Sequence, residues 1–257
     1  MTSTLKKVFK FSWFPVSIVG VWQLLTSLSS SPFFPTPLEI AYDFFGFWEV
    51  KNIAQYLLPT IRVLAAGFLF GGGIGLVAGV FAGAGSISYR VLIPLGTFAR
   101  GIPTAALLPV VIGISGLGPE TLLYAVVFSV ATNVFVATAI GISRVQRVHL
   151  EQAKLLGLSF LELVLRIRFP AAAGDVLVGL QAALQSAIVA VVLGEILFSP
   201  GGIGGFLRQS QELFSITQMW VGILLLGIVG TLANEAFMSL ERRLVPWYFS
   251  TRGGHSE

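Results

Sequence analysis

Charged residues are scarce in this chain of 257 residues. Asp, Glu, Lys and Arg together make up only 11% of it, whereas a soluble domain carries roughly 25%. Hydrophobic residues account for 55%, and the mean hydropathy is +0.86. Too little polar surface is available to cover a globule in water, so lipid is the expected solvent. The sequence therefore predicts an all-α integral membrane protein with a single transmembrane domain over residues 1–257.

Cysteine is absent, which excludes disulfides and thiolate metal sites. A catalytic zinc site typically needs three protein ligands, and His149 and His255 are the only histidines, so we expect no metal on this chain. The sequence contains no GxxxxGK[ST] nucleotide loop. Any ATP that this protein uses would be bound by a partner, and we expect no cofactor on the chain itself. The net charge of +4 is no evidence for a nucleic-acid partner, and we expect none.

Six apolar segments approach or exceed the length of about 20 residues that a membrane-spanning helix requires. They cover roughly residues 12–30, 60–84, 88–113, 120–142, 172–197 and 217–240. The stretch after the first segment, "SLSSSPFF", is a poor signal-peptidase site. We therefore expect an uncleaved first span rather than a secretory signal.

Lysine and arginine are distributed unevenly between the two sides of a six-span arrangement. If the N-terminus lies inside, the outer side holds only Lys51, Arg62 and Arg208. The inner side holds the larger set: Lys6, Lys7, Lys10, Arg90, the arginines between 144 and 168, Arg242, Arg243 and Arg252. Positive charge favours the cytoplasm, so both termini and the loop at about 143–170 are predicted to be cytoplasmic. Ser115, in the protease-like "GISG", would then lie on the outer side, where neither histidine reaches it to serve as a base.

Two glycine-rich segments stand out. In the second span, glycine recurs every four residues, at Gly67, Gly71, Gly75, Gly79 and Gly83. A stripe of small residues lets helix backbones approach closely in lipid, so we favour packing within the chain over a moving or dimeric contact. Between the last two spans, "SPGGIGGF" at 199–206 is expected to form tight outer turns.

A few polar residues lie inside the predicted spans, where an ionisable group costs roughly 2.5–3.5 kcal/mol and normally faces protein or water. Pro103 and Pro109 should bend or break the third span. Two interpretations of the polar residues stay open: a polar translocation path, or interhelical hydrogen bonds that include an Arg100–Glu235 pair. The candidates for the path are Arg100, Pro103, Asn133, Gln181 and Gln185.

The most distinctive segment is "EQAKLLGLSFLELVLRIRFP", residues 151–170. Glu151, Ala153, Gly157 and the ending Ile167 to Pro170 resemble the EAA loop of ABC-transporter permeases, although Gln152 and Phe169 differ from its usual residues. "FPTPLE", "TIRVLAAGF", "RGIPTAALLP", "GGIGGF" and "ERRLVPWY" extend the resemblance over most of the chain. Together these segments are similar to the nitrate, sulfonate and taurine group of permeases.

The resemblance implies a permease subunit with the type I ABC importer fold and six transmembrane helices, in a bacterial cytoplasmic membrane. Its expected partners are a second permease copy, cytoplasmic ATPase subunits that bind ATP and magnesium, and an outer substrate-binding protein. A small anion such as a sulfonate, taurine or nitrate is the expected substrate, and the chain itself would not be an enzyme. The coupling residues that it implies are Glu151, Gln152, Ala153, Lys154, Leu155, Gly157 and Leu158.

Two alternatives remain. Relatives with similar permeases are linked to vitamin precursors such as those of thiamine, so the substrate class stays open at this point. An ion-coupled secondary transporter is the alternative of another class. It would be expected to show inverted repeats and carboxylates along its path, whereas no repeat is visible and Glu195 and Glu235 lie near span ends.

Overall fold

The computed structural model describes residues 2–29, 31–116 and 118–246, and every regular element in these ranges is helical. Two single π-helical turns, Ile53–Leu57 and Val164–Arg168, lead into the fourth and tenth helices. The tail beyond residue 246, with Arg252 and His255, lies outside the described residues. In chain order the helices are α1 Thr2–Leu28, α2 Pro37–Gly46, α3 Val50–Asn52, α4 Leu58–Ala84, α5 Ser86–Gly101, α6 Thr104–Ser115, α7 Pro119–Ser143, α8 Arg147–Leu155, α9 Phe160–Leu163, α10 Phe169–Phe198, α11 Gly202–Glu212 and α12 Ile216–Leu244.

Several of these helices have the length and composition of membrane spans. Within the described residues, four stretches qualify, and the pair α5 and α6 makes up to five if it counts as one bent span. The first predicted span corresponds to the shorter apolar helix Trp13–Leu28. The four long stretches are Val50–Ala84, Glu120–Ser143, Phe160–Phe198 and Ile216–Arg243. The prediction of an all-helical chain, with several helices long and apolar enough to cross a membrane, is thus confirmed for the described residues.

The centre of the bundle consists of α4, α7 and α10. Val126, Val130 and Val134 recur every four residues along α7 and are fully buried. They pack in one cluster with Ala183 and Ala187 of α10. Residues spaced by four lie on one helical face, so the buried face of each helix follows directly from the local sequence.

The glycine stripe of α4 packs against α7, as the sequence predicts. A side chain at Gly71 would begin 2.7 Å from the backbone oxygen of Val127, and one at Gly75 would begin 2.6 Å from that of Ala131. Gly79 and Gly83 face the same helix one and two turns further on. Only glycine lets the two backbones come this close, so the stripe is a contact within the chain.

The third predicted span, 88–113, is not one continuous helix. Helix α5 ends at Gly101, and α6 begins at Thr104 at an angle of 95° to it. Pro103 produces the break because the residue before a proline avoids the helical conformation, and Ile102 is indeed extended, with ψ of 120°. Pro109, by contrast, lies inside α6. Arg100 therefore occupies the last turn of a helix, next to the break, rather than the middle of a continuous helix.

The end of the bundle where α4 begins and α10 ends carries the short helix α11, which the sequence did not predict. The predicted tight turns over 199–206 are found only up to Gly202, whose φ is +81° and where α11 begins. Gly204 and Gly205 lie within α11, where they pack against α10 and the segment that follows it. Nearby, Thr36 and Glu39 form a capping box at the start of α2.

Candidate functional site: the coupling loop and a polar cavity

The first half of the loop that resembles the EAA motif is the short helix α8. Gly157 follows this helix with φ of +65°, a left-handed conformation that strongly favours glycine. The Leu158 N–H donates to the Ala153 carbonyl at 3.1 Å, which is the bond of a Schellman ending. The backbone therefore reverses sharply at Gly157 and presents the end of α8 at the surface.

The surface of α8 combines polar and apolar side chains. Leu155 and Leu156 are 88% and 75% exposed, whereas Ala153 is 1% exposed. Glu151 and Gln152 are exposed, and Leu158 is half-buried. The side chain of Lys154 lies outside the described part of the structure. Two neighbouring leucines with no cover form an apolar ridge of the kind that fits a groove in a partner.

The second half of the loop returns the chain to the bundle. Ser159 and Glu162 form a capping box that starts α9, with the Glu162 N–H donating to the Ser159 hydroxyl at 3.4 Å. Arg166 lies 3.6 Å from Glu162 in an exposed ion pair. A π-helical turn then leads into α10, two residues before Pro170. The loop is thus connected through helical backbone to a central helix of the bundle.

The polar residues of the predicted path are brought together only in part. A cavity of about 530 Å³ lies between the α5–α6 break, α7 and α10. Arg100, Pro103, Asn133 and Gln185 line it, and Gln181 does not. Further polar residues line it that the sequence did not single out, namely Thr104, Ser129, Thr132 and Ser186.

Arg100 supplies the charge of this cavity. No aspartate or glutamate is among the described residues that line it. Arg100 and Glu235 are both exposed, and no ion pair joins them among the described residues. The structure therefore does not support the pairing considered from the sequence. The guanidinium group retains its N–H donors for a ligand or water.

Other polar groups in the cavity already use donors within their own helices. The Thr132 hydroxyl donates to the Phe128 carbonyl at 3.0 Å, and the Ser186 hydroxyl donates to the Ala182 carbonyl at 3.0 Å. The Asn133 amide donates to the Ser129 carbonyl at 2.8 Å. These three side chains are therefore oriented by their own helices, whereas Arg100 donates no hydrogen bond to another of the described residues.

A second cavity of about 420 Å³ lies between α10 and α12 and shares Gln185 with the first. Thr231 and Asn234 line it together with Gly227 and Gly230. The polar surface thus extends from α5 across α7 and α10 to α12. The spacing of Thr231 and Asn234, three residues apart inside an apolar span, is the sequence signal that identifies them.

Ser115, the serine of the protease-like "GISG", lies at the end of α6. Its hydroxyl is 2.8 Å from the Val111 carbonyl and 3.0 Å from the Thr121 hydroxyl. Neither group is a base that accepts a proton at neutral pH, so these contacts do not form the arrangement of nucleophile and base that a serine protease needs.

Comparisons with known proteins agree with the features of the loop and the bundle. Residues 71–249 match the family model described as "Binding-protein-dependent transport system inner membrane component". The chain is 27% identical over 241 residues to the putative aliphatic sulfonates transport permease protein of Bacillus subtilis (strain 168), covering 93% of this chain and 87% of that protein. It is 23% identical over 236 residues to the nitrate import permease protein of Leptolyngbya laminosa, covering 89% and 85%.

The fold has also been observed experimentally. A chain of the methionine ABC transporter in inward-facing conformations superimposes with a TM-score of 0.65 and 19% identity. The match covers 73% of this chain and 94% of that one. At this identity the match concerns the fold alone.

Proposed function

Because this chain belongs to the family of binding-protein-dependent transport system inner membrane components, we propose that two copies of it enclose the path of an ATP-driven importer for small anions. As a permease subunit of an ABC importer, it is not itself an enzyme, and ATP hydrolysis lies on partner subunits. ATP and magnesium would be bound by those partners, and an outer binding protein would deliver the substrate.

The proposed arrangement in the membrane has six spans and both termini in the cytoplasm. It takes Trp13–Leu28 as the first span and the bent pair α5 and α6 as the third. The excess of Lys and Arg on the side of α8 supports this orientation. In this arrangement α8 faces the cytoplasm of a bacterial cell, and α11 lies on the outer side.

The Arg100 cavity is the main structural support for a path between two copies. An exposed arginine is costly in hydrocarbon, so it is expected to face water or protein rather than lipid. A second copy placed against this side of the bundle would enclose the polar surface and leave a water-filled path between the two chains. A two-fold arrangement uses the same surface on both copies, so each would contribute one Arg100.

The charge of the cavity supports an anionic substrate. Arginine binds oxoanions with two parallel N–H bonds, and no carboxylate among the described lining residues competes for it. The relatives named for aliphatic sulfonates and for nitrate point to the same chemical class. We therefore propose a small sulfonate or a similar oxoanion as the substrate.

The coupling role is assigned to the loop around α8. The exposed Leu155 and Leu156 would fit a groove on the ATPase subunit, and Glu151 and Gln152 would form polar contacts at its rim. Movement of the ATPase subunits would then be transmitted through α9 and the π-helical turn to α10, whose middle lines the Arg100 cavity.

A cysteine placed in the cavity tests the anion preference directly, because the natural chain has no other thiol. The Ser186→Cys protein, in the complex with its native partners, is treated with the anionic reagent 2-sulfonatoethyl methanethiosulfonate and, separately, with its trimethylammonium counterpart. We expect the ratio of the anionic rate to the cationic rate to be about tenfold higher than the same ratio for a free thiol. Millimolar nitrate or ethanesulfonate should slow the reaction with the anionic reagent. The measurement is the modification rate by mass spectrometry.

Substitutions at Arg100 provide the controls. Arg100→Lys retains the charge and should retain most of the preference, whereas Arg100→Gln should abolish it and Arg100→Glu should reverse it. A faster reaction with the cationic reagent in the Ser186→Cys protein would contradict the anion proposal. That result would favour a cationic vitamin precursor as substrate.

A further inference from the structure

Glu195, near the outer end of α10, is the most deeply buried carboxylate in the described part of the chain, with 1% of its surface exposed. Two groups from other elements donate to it. The Thr60 hydroxyl of α4 lies 2.8 Å and 2.9 Å from its two oxygens, and the Gly204 N–H of α11 lies 2.9 Å from Oε2. A carboxylate buried away from water needs such donors, so the contacts specify where Glu195 lies.

Thr60 completes a closed network between three helices. Its oxygen accepts the Ile203 N–H at 2.9 Å while its hydroxyl donates to Glu195. Ile203 and Gly204 are in the first turn of α11, where backbone N–H groups have no partner within the helix. The preceding residue, Gly201, supplies no side-chain cap. Side chains of α4 and α10 therefore cap the start of α11, and we call Thr60, Glu195, Ile203 and Gly204 the outer clamp.

Tight packing keeps the outer clamp closed. A side chain at Gly202 would collide with the Glu195 carboxyl group, and one at Gly204 would begin 2.6 Å from the Val192 carbonyl oxygen. Further along α11, the Tyr56 hydroxyl lies 2.7 Å from Gln209 Oε1. With Ile203 fully buried as well, the first turn of α11 is in close contact with α10.

The outer clamp and the Arg100 cavity involve neighbouring residues of α10. Val189, Ala190 and Leu193 line that cavity from α10, and Leu193 lies two residues before Glu195. Residues two apart on a helix point in different directions, so one side of this turn faces the cavity while Glu195 holds the other. A shift at Glu195 would therefore move the wall of the cavity.

We propose that Glu195 and Thr60 are positioning residues for transport, which fix the outer end of α10 to α4 and α11 and thereby set the position of the cavity wall at Leu193. This role goes beyond the proposed function and does not depend on which substrate is carried. The outer clamp acts through hydrogen bonds rather than through charge, because the groups that contact the Glu195 carboxylate, the Thr60 hydroxyl and the Gly204 N–H, are uncharged donors.

The test uses Leu193→Cys as the only thiol of the chain, in the complex with its native partners in lipid nanodiscs. Thr60→Val removes both the donor to Glu195 and the acceptor for Ile203, and Glu195→Asp shortens the side chain so that it cannot reach Thr60 and Gly204 together. A buried polar group left unsatisfied shifts a local opening equilibrium by about 5- to 150-fold. We therefore expect both variants to raise the rate of modification by 2-sulfonatoethyl methanethiosulfonate by at least about fivefold.

Two conservative variants should keep the rate of the parent protein. Thr60→Ser preserves the hydroxyl. Glu195→Gln also preserves the network, because the glutamine oxygen can accept the Gly204 N–H while its amide donates to the Thr60 oxygen. The Thr60 hydroxyl then donates to the Tyr56 carbonyl, 3.2 Å away. A role confined to overall stability would lower the melting temperature of the complex without changing the modification rate of the folded protein.

Equal rates in Thr60→Val, Glu195→Asp and the parent would overturn the inference. Loss of folded protein in both variants would also overturn it, because the outer clamp would then be needed for folding rather than for the position of the cavity wall. Failure of the anion proposal would appear separately, as a missing charge preference at position 186, since the outer clamp predicts a change in rate and not in preference.

Discussion

Gly157→Val is expected to separate this permease from its ATPase partner while leaving the bundle intact. Gly157 has φ of +65°, and the space around its α-carbon is open, with no atom within 4 Å of an added Cβ. The effect therefore arises from the backbone conformation and not from a clash with neighbours. A residue held in a sparsely populated conformation costs about 1–3 kcal/mol, and a β-branched residue with positive φ is a severe case.

The consequence should be large because Gly157 determines the exit from α8. With valine, the turn that brings the Leu158 N–H to Ala153 would be populated about 5- to 150-fold less, and Leu155 and Leu156 would lose their orientation. We expect the amount of ATPase that co-purifies with the chain to fall by about tenfold or more. The yield and the melting temperature of the permease itself should change little, since position 157 is exposed.

Gly157→Asn is the matched control. Asparagine tolerates the left-handed conformation better than other residues with a side chain, and the open space accommodates it. It should retain most of the co-purifying ATPase. If valine and asparagine lower the ATPase equally, the conformation at Gly157 is not what matters. If valine has no effect, the loop around α8 is not the docking element.

Gly75→Leu is expected to prevent the bundle from assembling. A Cβ at this position would lie 2.6 Å from the Ala131 carbonyl oxygen, 2.8 Å from the Val134 Cβ and 3.0 Å from the Phe135 nitrogen. Two of these atoms belong to the backbone of α7, so no rotamer change relieves the contact. Helix α4 would have to move away from α7 along the interface where its glycine stripe packs.

Overpacking typically costs about 1–3 kcal/mol and occasionally more, and a clash between two backbones belongs at the upper end. We expect the yield of folded protein in mild detergent to fall by about tenfold or more, measured by the monodisperse fraction in size-exclusion chromatography. The remaining protein should have a lower melting temperature.

Gly73→Leu provides the control within the same helix. Gly73 is exposed, and no atom lies within 4 Å of its added Cβ. Leucine has a better helix propensity than glycine, so this variant should fold as well as the parent. Comparable losses in both variants would show that α4 does not tolerate leucine for a reason unrelated to α7, and would contradict the packing of the glycine stripe against that helix.

Several features of this protein follow from local sequence alone. Low charge and long apolar segments determine the all-helical membrane class, because lipid offers no hydrogen bonds to an open backbone. The four-residue period of the glycines predicts a close helix contact within the chain, and Pro103 predicts the break after α5. The capping-box spacing of Thr36 and Glu39 is a local signal that specifies the start of α2. Each of these signals acts over at most one or two helical turns, or along a single helix, so no knowledge of distant neighbours is needed.

The tertiary structure decided which distant residues meet. Gln181 and Gln185 share a helical face, yet only Gln185 lines the cavity, because one turn of helix moves a residue about 5.4 Å along the axis. Glu195 and Thr60 are 135 residues apart, and their hydrogen bond depends on how α4 and α10 are placed relative to each other along their axes. The same contact converts a predicted glycine turn into the capped helix α11. Helix periodicity specifies the direction of a side chain but not its axial position relative to a neighbouring helix. That axial position determines both which residues line the cavity and which residues form the outer clamp.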